Sequence, residues 1–226
     1  MKKSKYLVLS SFYFDFNDDL TNIANVKELF KKQNILDLER FDKIEYIRGN
    51  IFYGYSLYFI YLSSNIISIK MSAFGSNYIK YINLFNCQKL LDIEDRSFEE
   101  NNIEYLDLSM CTSLIAIGYN TLNKNKIKKI KFSDNIKKID SYSFYKNNIK
   151  YLDLSNCNNL NEIDLYAFSN NPLQEIKILN KIIVSCSYSQ NLSYDAWDKF
   201  AKYYNDNNKK AGNYKLENNE WKWYPL

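Results

Sequence analysis

Residues Ile103 to Ile117 read Ile-Glu-Tyr-Leu-Asp-Leu-Ser-Met-Cys-Thr-Ser-Leu-Ile-Ala-Ile, and residues Ile149 to Ile163 read Ile-Lys-Tyr-Leu-Asp-Leu-Ser-Asn-Cys-Asn-Asn-Leu-Asn-Glu-Ile. The two segments repeat the same order of apolar and polar residues. Self-similarity of this kind is the sequence signature of repeat architectures and decides the fold before any local propensity is considered.

The period is regular along most of the chain. When the first residue of a unit is counted as offset 0, apolar residues recur at offsets 3, 5, 8, 11, 14 and 19. The units begin at residues 33, 57, 79, 103, 127, 149 and 173, and the units at 57 and 127 are two residues shorter after their strand. One such unit cannot bury its apolar face alone, so stacked units must share a continuous core. The sequence predicts a solenoid.

The unit length and a recurring pair near the unit end resemble the BspA-like class of leucine-rich repeat proteins, which are bacterial and protist surface antigens. The pairs are Ala73-Phe74, Ser97-Phe98, Ser143-Phe144 and Ala167-Phe168. The resemblance covers roughly residues 33–191. It implies an α/β repeat protein, a leucine-rich-repeat solenoid with a parallel strand ladder on one face. It also implies attachment to host or neighbouring cells as one candidate function.

The region before the repeats, residues 1–32, is predicted to form an N-terminal cap, because a solenoid end would otherwise expose its core. Alternation of Phe12, Phe14 and Phe16 favours a short strand. Acidic residues at 18 and 19 and lysines at 31 and 32 favour a helix between them. No hydrophobic stretch with a cleavage site follows the first lysines, so we recognise no signal peptide.

The region after the repeats, residues 192–226, is predicted to form a C-terminal cap. Ser193 is placed to cap the N-terminus of a helix whose apolar side carries Trp197. Beyond Gly212, alternation on either side of Glu-Asn-Asn-Glu predicts a hairpin with an aromatic face. The tryptophans of this tail are interpreted as core residues of the cap.

Composition excludes several function classes. The chain has 226 residues, no histidine and a formal charge of +4. Without histidine, Ser-His-Asp triads and most catalytic zinc sites are excluded. The small net charge gives no reason to expect nucleic acid as a partner. No run approaches the ~20 apolar residues of a membrane span. We predict no cofactor and no metal site.

Three of the four cysteines, Cys87, Cys111 and Cys157, share offset 8, and Cys186 is the fourth. Leucine-rich repeats have an Asn or a Cys at this offset, where the chain turns inward after the strand. We predict a buried column of thiols that behave as small apolar residues. A disulfide or a metal cluster is the alternative, although no C-x-x-C pair is present.

The outward positions of the strands form the candidate binding surface. Side chains alternate along a strand, so offsets 3 and 5 are predicted to point inward and offsets 2, 4 and 6 outward. Aromatic residues at outward positions suit protein interfaces, and they also stabilise strands by contacting each other. The candidate binding residues are Phe59, Tyr61, Tyr81, Phe85, Tyr105, Asp107, Lys129, Lys131, Tyr151 and Asp153.

A glycosidase-like carboxylate pair was considered at Asp107 and Asp153. They occupy the same offset two strands apart, roughly 10 Å by the strand spacing, near the long limit of an inverting pair. Lys131 lies between them, so alternating charge favours lateral ion pairing instead. A basic block at residues 124–138 and an acidic block at residues 92–100 are likewise complementary in charge. We predict that the chain is not an enzyme.

Two functional hypotheses remain from the sequence. The first is a non-catalytic module that binds a protein partner through its strand face, with a role in cell attachment. The second is a cytoplasmic scaffold that assembles other proteins. The absence of a recognised signal peptide favours the cytoplasm, whereas the family resemblance favours the cell surface.

Overall fold

The computed structural model describes residues 6–9, 12–15, 34–39, 41, 43–179, 181–185 and 195–226. At the N-terminus, β1 (Tyr6–Leu9) and β2 (Phe12–Asp15) pair in an antiparallel hairpin. The strand expected from the alternating phenylalanines is therefore present. The helix expected between residues 18 and 32 lies outside the described residues.

Each of the seven units contributes two short strands. In chain order they are β3 (Ile35–Asp37) and β4 (Tyr46–Ile47), β5 (Phe59–Tyr61) and β6 (Ser68–Ile69), β7 (Tyr81–Asn83) and β8 (Asp92–Ile93), β9 (Tyr105–Asp107) and β10 (Ala116–Ile117), β11 (Lys129–Lys131) and β12 (Lys138–Ile139), β13 (Tyr151–Asp153) and β14 (Glu162–Ile163), and β15 (Glu175–Ile178) and β16 (Ile183–Val184). The odd-numbered strands β3 to β15 form the first ladder, and the even-numbered strands β4 to β16 form the second ladder.

The ladders differ in continuity. The first ladder is parallel but is divided into three hydrogen-bonded groups, β3-β5-β7, β9-β11 and β13-β15. The second ladder is one continuous parallel sheet of seven strands. The sequence pattern predicted the first ladder. It placed the apolar residue at offset 14 only in the segment that leads from one first-ladder strand back to the next. In the structure that residue is the inward position of a second-ladder strand.

The core lies between the ladders and follows the predicted period. In the first ladder, Leu106 and Leu152 are inward and each is only 3% exposed. In the second ladder, Ile117 is completely buried. Phenylalanines at the unit ends stack across units, with ring centroids 5.4 Å apart for Phe52 and Phe74, 5.2 Å for Phe74 and Phe98, and 5.0 Å for Phe144 and Phe168. Leu122 occupies this position between the two stacks.

An asparagine ladder closes the units on the side where the chain returns to the first ladder. Asn125 illustrates the pattern: its Oδ1 accepts from the Ile103 backbone N–H at 3.1 Å, and its Nδ2 donates to the Phe98 carbonyl at 2.9 Å. The first bond reaches the start of the same unit and the second reaches the preceding unit, and both satisfy backbone groups that water cannot reach. The same arrangement occurs at Asn77, Asn101, Asn147 and Asn171.

The expected reason for these asparagines was wrong in most units. The asparagines at the unit ends, at 77, 101–102, 147–148 and 170–171, predict a left-handed backbone at the turn, because Asn tolerates that conformation. The left-handed residue is instead the one before the buried asparagine, for example Glu100 with φ 57° and Lys146 with φ 54°. Only Asn170, from the expected set, has a positive φ, 57°. The side-chain amide is needed for its hydrogen bonds between units.

The cysteine prediction is confirmed for the described residues. Cys87, Cys111 and Cys157 are free and buried, and burial raises the pKa of each thiol to about 12. Cys87 Sγ lies 3.7 Å from the Ser63 carbonyl oxygen of the neighbouring unit. Such thiols are neutral and act as small apolar residues. Cys186 lies outside the described residues.

The C-terminal helix and hairpin close this end of the solenoid. Helix α1 (Ala196–Asp206) begins after Asp195, whose side chain accepts from the Asp198 backbone N–H, so the capping residue is not Ser193 as expected. Strands β17 (Gly212–Glu217) and β18 (Glu220–Tyr224) form the predicted hairpin, and β17 pairs antiparallel with β15. The first ladder therefore continues into the cap.

Aromatic packing joins helix α1 to the repeats. Trp197 is fully buried, and its ring lies 5.0 Å from that of Phe168. Phe200 contacts Tyr214 and Trp221 of the hairpin at 5.3 Å and 5.5 Å. These contacts confirm that the tryptophans at 197 and 221 are core residues of the cap and cover the last unit.

Candidate binding surface

The register of the first ladder aligns outward aromatic residues of adjacent units. Phe59 pairs with Tyr81 in the parallel register of β5 and β7. Phe59, Tyr81 and Tyr105 are 38%, 43% and 39% exposed. Large rings that stay this exposed beside a buried core contribute little to the core. The predicted outward direction of offset 2 is therefore observed.

The aromatic patch extends to the neighbouring outward positions. Tyr61 is half-buried, and its ring lies 6.2 Å from that of Tyr81. Phe85, which follows strand β7 in the same unit as Tyr81, is 64% exposed. We name Phe59, Tyr61, Tyr81, Phe85 and Tyr105 the aromatic patch. It crosses the hydrogen-bonding break between β7 and β9.

A charged network adjoins the patch at Asp107. Its Oδ2 accepts from the Tyr105 hydroxyl at 2.7 Å and lies 3.1 Å from the Lys131 Nζ. Its Oδ1 accepts from the Ser109 N–H at 3.1 Å and the Ser109 hydroxyl at 2.5 Å. Partial burial acts to raise the pKa of Asp107, but the bonds from Ser109, Tyr105 and Lys131 outweigh burial and hold that pKa at about 2.

This environment is wrong for a general acid. A glycosidase acid needs a carboxyl pKa raised toward neutrality, usually by an apolar pocket. Asp107 is instead held ionised, and its lateral pair with Lys131 is the one that alternating charge predicted. Asp153 makes the same turn as Asp107, accepting from the Ser155 N–H at 3.0 Å and hydroxyl at 2.6 Å. Both carboxylates act as structural hydrogen-bond acceptors.

The remaining candidate residues lie further along the same face. Lys129 is exposed and is in register with Tyr105, and Lys131 is exposed in register with Asp107. Tyr151 is 63% exposed in β13. Asp153 is also exposed in that strand. The first ladder thus presents an aromatic half followed by a charged half.

Two outward assignments were wrong and one contact was missed. Ser63 and Ser133 at offset 6 are buried, because their units lack the two residues that carry the chain outward after the strand. The missed contact joins Asn83 Nδ2 to Glu39 Oε1 at 2.7 Å across two units. The Asp-Leu-Ser sequences at 107–109 and 153–155 carried a signal for the side-chain turns, because Asp commonly accepts from the backbone two residues on.

The acidic and basic blocks meet each other between units. Lys124 lies 2.6 Å from Glu100, one unit back. On the second ladder, Lys138 Nζ lies 3.0 Å from Asp140, 3.7 Å from Glu162 and 3.4 Å from Asp164. The attraction expected between complementary blocks is therefore realised partly within the molecule.

In the described part of the chain, no three cysteine or carboxylate side chains converge to form a metal site. Within the same residues, no helix is long and apolar enough to cross a bilayer.

Comparison with known proteins gives the family. The model of the BspA-type leucine-rich repeat region, in six copies, matches residues 21–109 and 78–194. No curated protein matches the chain.

Two solved structures are similar. The crystal structure of the pneumococcal vaccine antigen PcpA aligns with a TM-score of 0.53 and 20% identity, over 62% of this chain and 37% of that one. A leucine-rich repeat protein from Eubacterium ventriosum aligns over 92% of this chain and 43% of its own, with a TM-score of 0.37 and 17% identity. The chain therefore spans less than half the length of either.

The PcpA alignment supports the repeat fold, which is in general a non-enzymatic interaction scaffold. The family model covers most of the chain, including every unit of the first ladder. From the period, the two ladders and this match, the chain belongs to the BspA-type leucine-rich repeat family.

Proposed function

We propose that the protein is a non-catalytic interaction module that binds a protein partner through the outward face of its first ladder. The observation that carries the proposal is the aromatic patch, whose members lie on three consecutive units and, apart from the half-buried Tyr61, remain exposed beside a filled core. Aromatic side chains provide large contact area with few rotatable bonds to immobilise, and they dominate protein interfaces.

The charged half of the face suits the rim of such an interface. Tyr105, Asp107 and Lys131 are linked by the hydrogen bond and ion pair described above, so their geometry is set before a partner arrives. Preorganised groups lose less entropy on binding. Lys129 adds an exposed positive charge that would steer an acidic partner and change the association rate more than the dissociation rate.

We further propose that the partner lies on a host or neighbouring cell. Membership of the BspA-type family and similarity to a vaccine antigen support this location. A scaffold within the cytoplasm is the competing proposal. Fractionation of the source cells with a specific antibody distinguishes them: recovery in the surface fraction supports attachment, and recovery only in the cytoplasm overturns it.

The binding test uses a double variant of the aromatic patch, a control variant on the second ladder and a lysine variant. A partner is isolated from surface extract or lysate with the wild-type protein, and its binding kinetics are then measured. We expect the double variant Tyr81→Ser, Tyr105→Ser to lose about 2 kcal/mol or more of binding free energy, which is the usual scale of interface hot spots. Tyr46, which is 51% exposed on the second ladder, provides the control variant Tyr46→Ser.

The control should bind like the wild type. Full affinity in the Tyr81, Tyr105 variant, with loss in the Tyr46 variant, would move the binding site to the second ladder. A Lys129→Ala variant should associate more slowly and show a weaker salt dependence, with little change in dissociation.

A further inference from the structure

A second aromatic surface lies on the turns that follow the second ladder. In each of the first six units one residue of this turn has a left-handed backbone: Asn50, Ser72, Arg96, Asn120, Tyr142 and Tyr166, with φ between 54° and 59°. The repeat imposes this conformation whatever residue is present. Asn tolerates it well, whereas a bulky side chain costs roughly 1 kcal/mol or more. Tyr142 and Tyr166 therefore occupy positions that the backbone alone would give to Asn or Gly.

Tyr142 is the centre of a tyrosine cluster that comprises Tyr119, Tyr142, Tyr145 and Tyr166. The ring of Tyr142 lies 5.9 Å from that of Tyr119, 5.3 Å from Tyr145 and 5.0 Å from Tyr166. Tyr119 is exposed and the other three are half-buried. The cluster crosses three consecutive units and shares no residue with the aromatic patch of the first ladder.

Cations of the protein already lie on the rim of this cluster. The Arg96 guanidinium lies 5.8 Å from the ring centroid of Tyr119, and Lys146 Nζ lies 5.3 Å from that of Tyr145. Both distances suit attraction between a cation and the face of an aromatic ring. Among the residues that the structure describes, no lysine or arginine lies over the rings of Tyr142 and Tyr166 in the same way.

A group of side chains with a net negative charge lies close in sequence to these two tyrosines. Asp140 and Asp164 precede Tyr142 and Tyr166 by two residues each, in the strand ends that lead into the turns. Together with Glu162 they surround Lys138 at 3.0–3.7 Å. Three carboxylates around one ammonium leave a local charge of −2. This charge is opposite in sign to the formal +4 of the whole chain.

From these observations we infer that the tyrosine cluster and the carboxylates around Lys138 form a second docking surface, which binds a basic segment of a partner protein. Guanidinium or ammonium groups of that segment lie over Tyr142 and Tyr166 and pair with Asp140, Glu162 and Asp164. Cation–aromatic contact and charge complementarity act together here. The inference is independent of binding at the first ladder.

The direct test measures anisotropy of a fluorescent oligoarginine peptide, with an oligoglutamate peptide of equal length for comparison. The net charge of the chain favours oligoglutamate, so preference for oligoarginine would require a local negative surface. In the variant Tyr142→Asn, Tyr166→Asn we expect about tenfold weaker oligoarginine binding or more, from the loss of two ring contacts. Asn relieves the left-handed strain, so the variant should fold.

Three further variants make the outcome specific. Tyr142→Phe, Tyr166→Phe should bind oligoarginine like the wild type, because phenylalanine keeps the ring face. Asp140→Asn, Asp164→Asn should weaken binding, and it decides the question if the tyrosine variant fails to fold. Tyr81→Ser, Tyr105→Ser should leave oligoarginine binding unchanged. The inference would be overturned if the tyrosine-to-asparagine and the aspartate-to-asparagine variants both bound oligoarginine with wild-type affinity. It would also be overturned if the wild type bound oligoglutamate more tightly than oligoarginine.

Discussion

The two ladders belong to the same solenoid but differ in their hydrogen bonding and in their outward side chains. The second ladder is one continuous sheet, and its outward charges are paired between units, as in Lys70 with Glu94 at 2.6 Å and Lys138 with three carboxylates. The first ladder is divided into three groups and leaves Phe85 and Tyr151 more than 60% exposed.

The difference suggests separate roles for the two faces. In the second ladder, continuous backbone pairing and lateral ion pairs satisfy the sheet within the molecule. In the first ladder, exposed rings gain little from the fold and are available to a partner. Changes to outward positions of the first ladder should therefore affect binding of the proposed partner more than they affect stability.

The largest effect is expected where the two ladders are alike, at their inward positions. Leu106→Asp in the first ladder and Ile117→Asp in the second should each unfold the protein, because burying a carboxylate in either position costs more than about 4 kcal/mol. Tyr105→Asp should be tolerated. Circular dichroism during thermal unfolding measures all three, and equal loss at Tyr105 and Leu106 would show that the strand faces are reversed.

The next effect concerns the asparagine ladder, which connects the end of each unit to the start of that unit and to the end of the preceding unit. Asn125→Ala removes the acceptor of the Ile103 N–H and the donor to the Phe98 carbonyl. The Ile103 N–H would lose its acceptor, whereas the Phe98 carbonyl would keep its bond from Asn101 Nδ2, so we expect about 2 kcal/mol of destabilisation in urea unfolding. Exposed Asn135→Ala is the matched control, and similar losses in both would contradict the ladder's role.

A smaller effect is expected from the thiols between the ladders. Cys111→Ala should lower stability by about 1.5 kcal/mol through the small cavity that it leaves. In a Cys186→Ser background, a reducing agent should leave the melting temperature unchanged, because the described cysteines are free. A large drop on reduction would contradict the assignment of buried thiols.

The smallest stability effect concerns Asp107 in the first ladder. Its pKa in the folded protein, about 2, lies below the usual value of about 3.9 for an unfolded chain. The unfolded state therefore binds the proton more readily, so this contribution is present above pH 4 and is lost as the pH falls toward 2. The side chain is 34% exposed, so we expect only about 1 kcal/mol.

The measurement is the pH dependence of urea unfolding for the wild type and Asp107→Asn. The variant should lose stability less steeply than the wild type between pH 4 and pH 2. Identical slopes would show that the network of Tyr105, Ser109 and Lys131 does not stabilise the ionised carboxylate.

Sequence reasoning succeeded where a single rule governs every unit. The period at Leu106 and Leu152 placed the first ladder, because alternation in a strand is visible in the side chains. Alternation on either side of Asn218 and Asn219 placed the C-terminal hairpin. Within the face, exposure of Tyr81 followed from the same alternation.

It failed where the structure depends on contacts between units. Strands of two residues, such as Ala116–Ile117, are too short to show alternation, so the second ladder was not predicted. Ser63 is buried in a unit that is two residues shorter after its strand, and the period alone does not show how this deletion changes the direction of the chain. The tyrosine cluster was not recognised either, because Tyr142 and Tyr119 meet only when the units are stacked.

The most direct test of the two roles is chemical modification of tyrosines in the presence of a purified partner. Tyr81 and Tyr105 of the first ladder are 43% and 39% exposed, and Tyr46 of the second ladder is 51% exposed, so the free protein should react at all three. Nitration followed by mass spectrometry would measure each site. Binding through the first ladder predicts protection of Tyr81 and Tyr105 with Tyr46 still reactive. Protection of Tyr46, with Tyr81 and Tyr105 reacting as in the free protein, would contradict it.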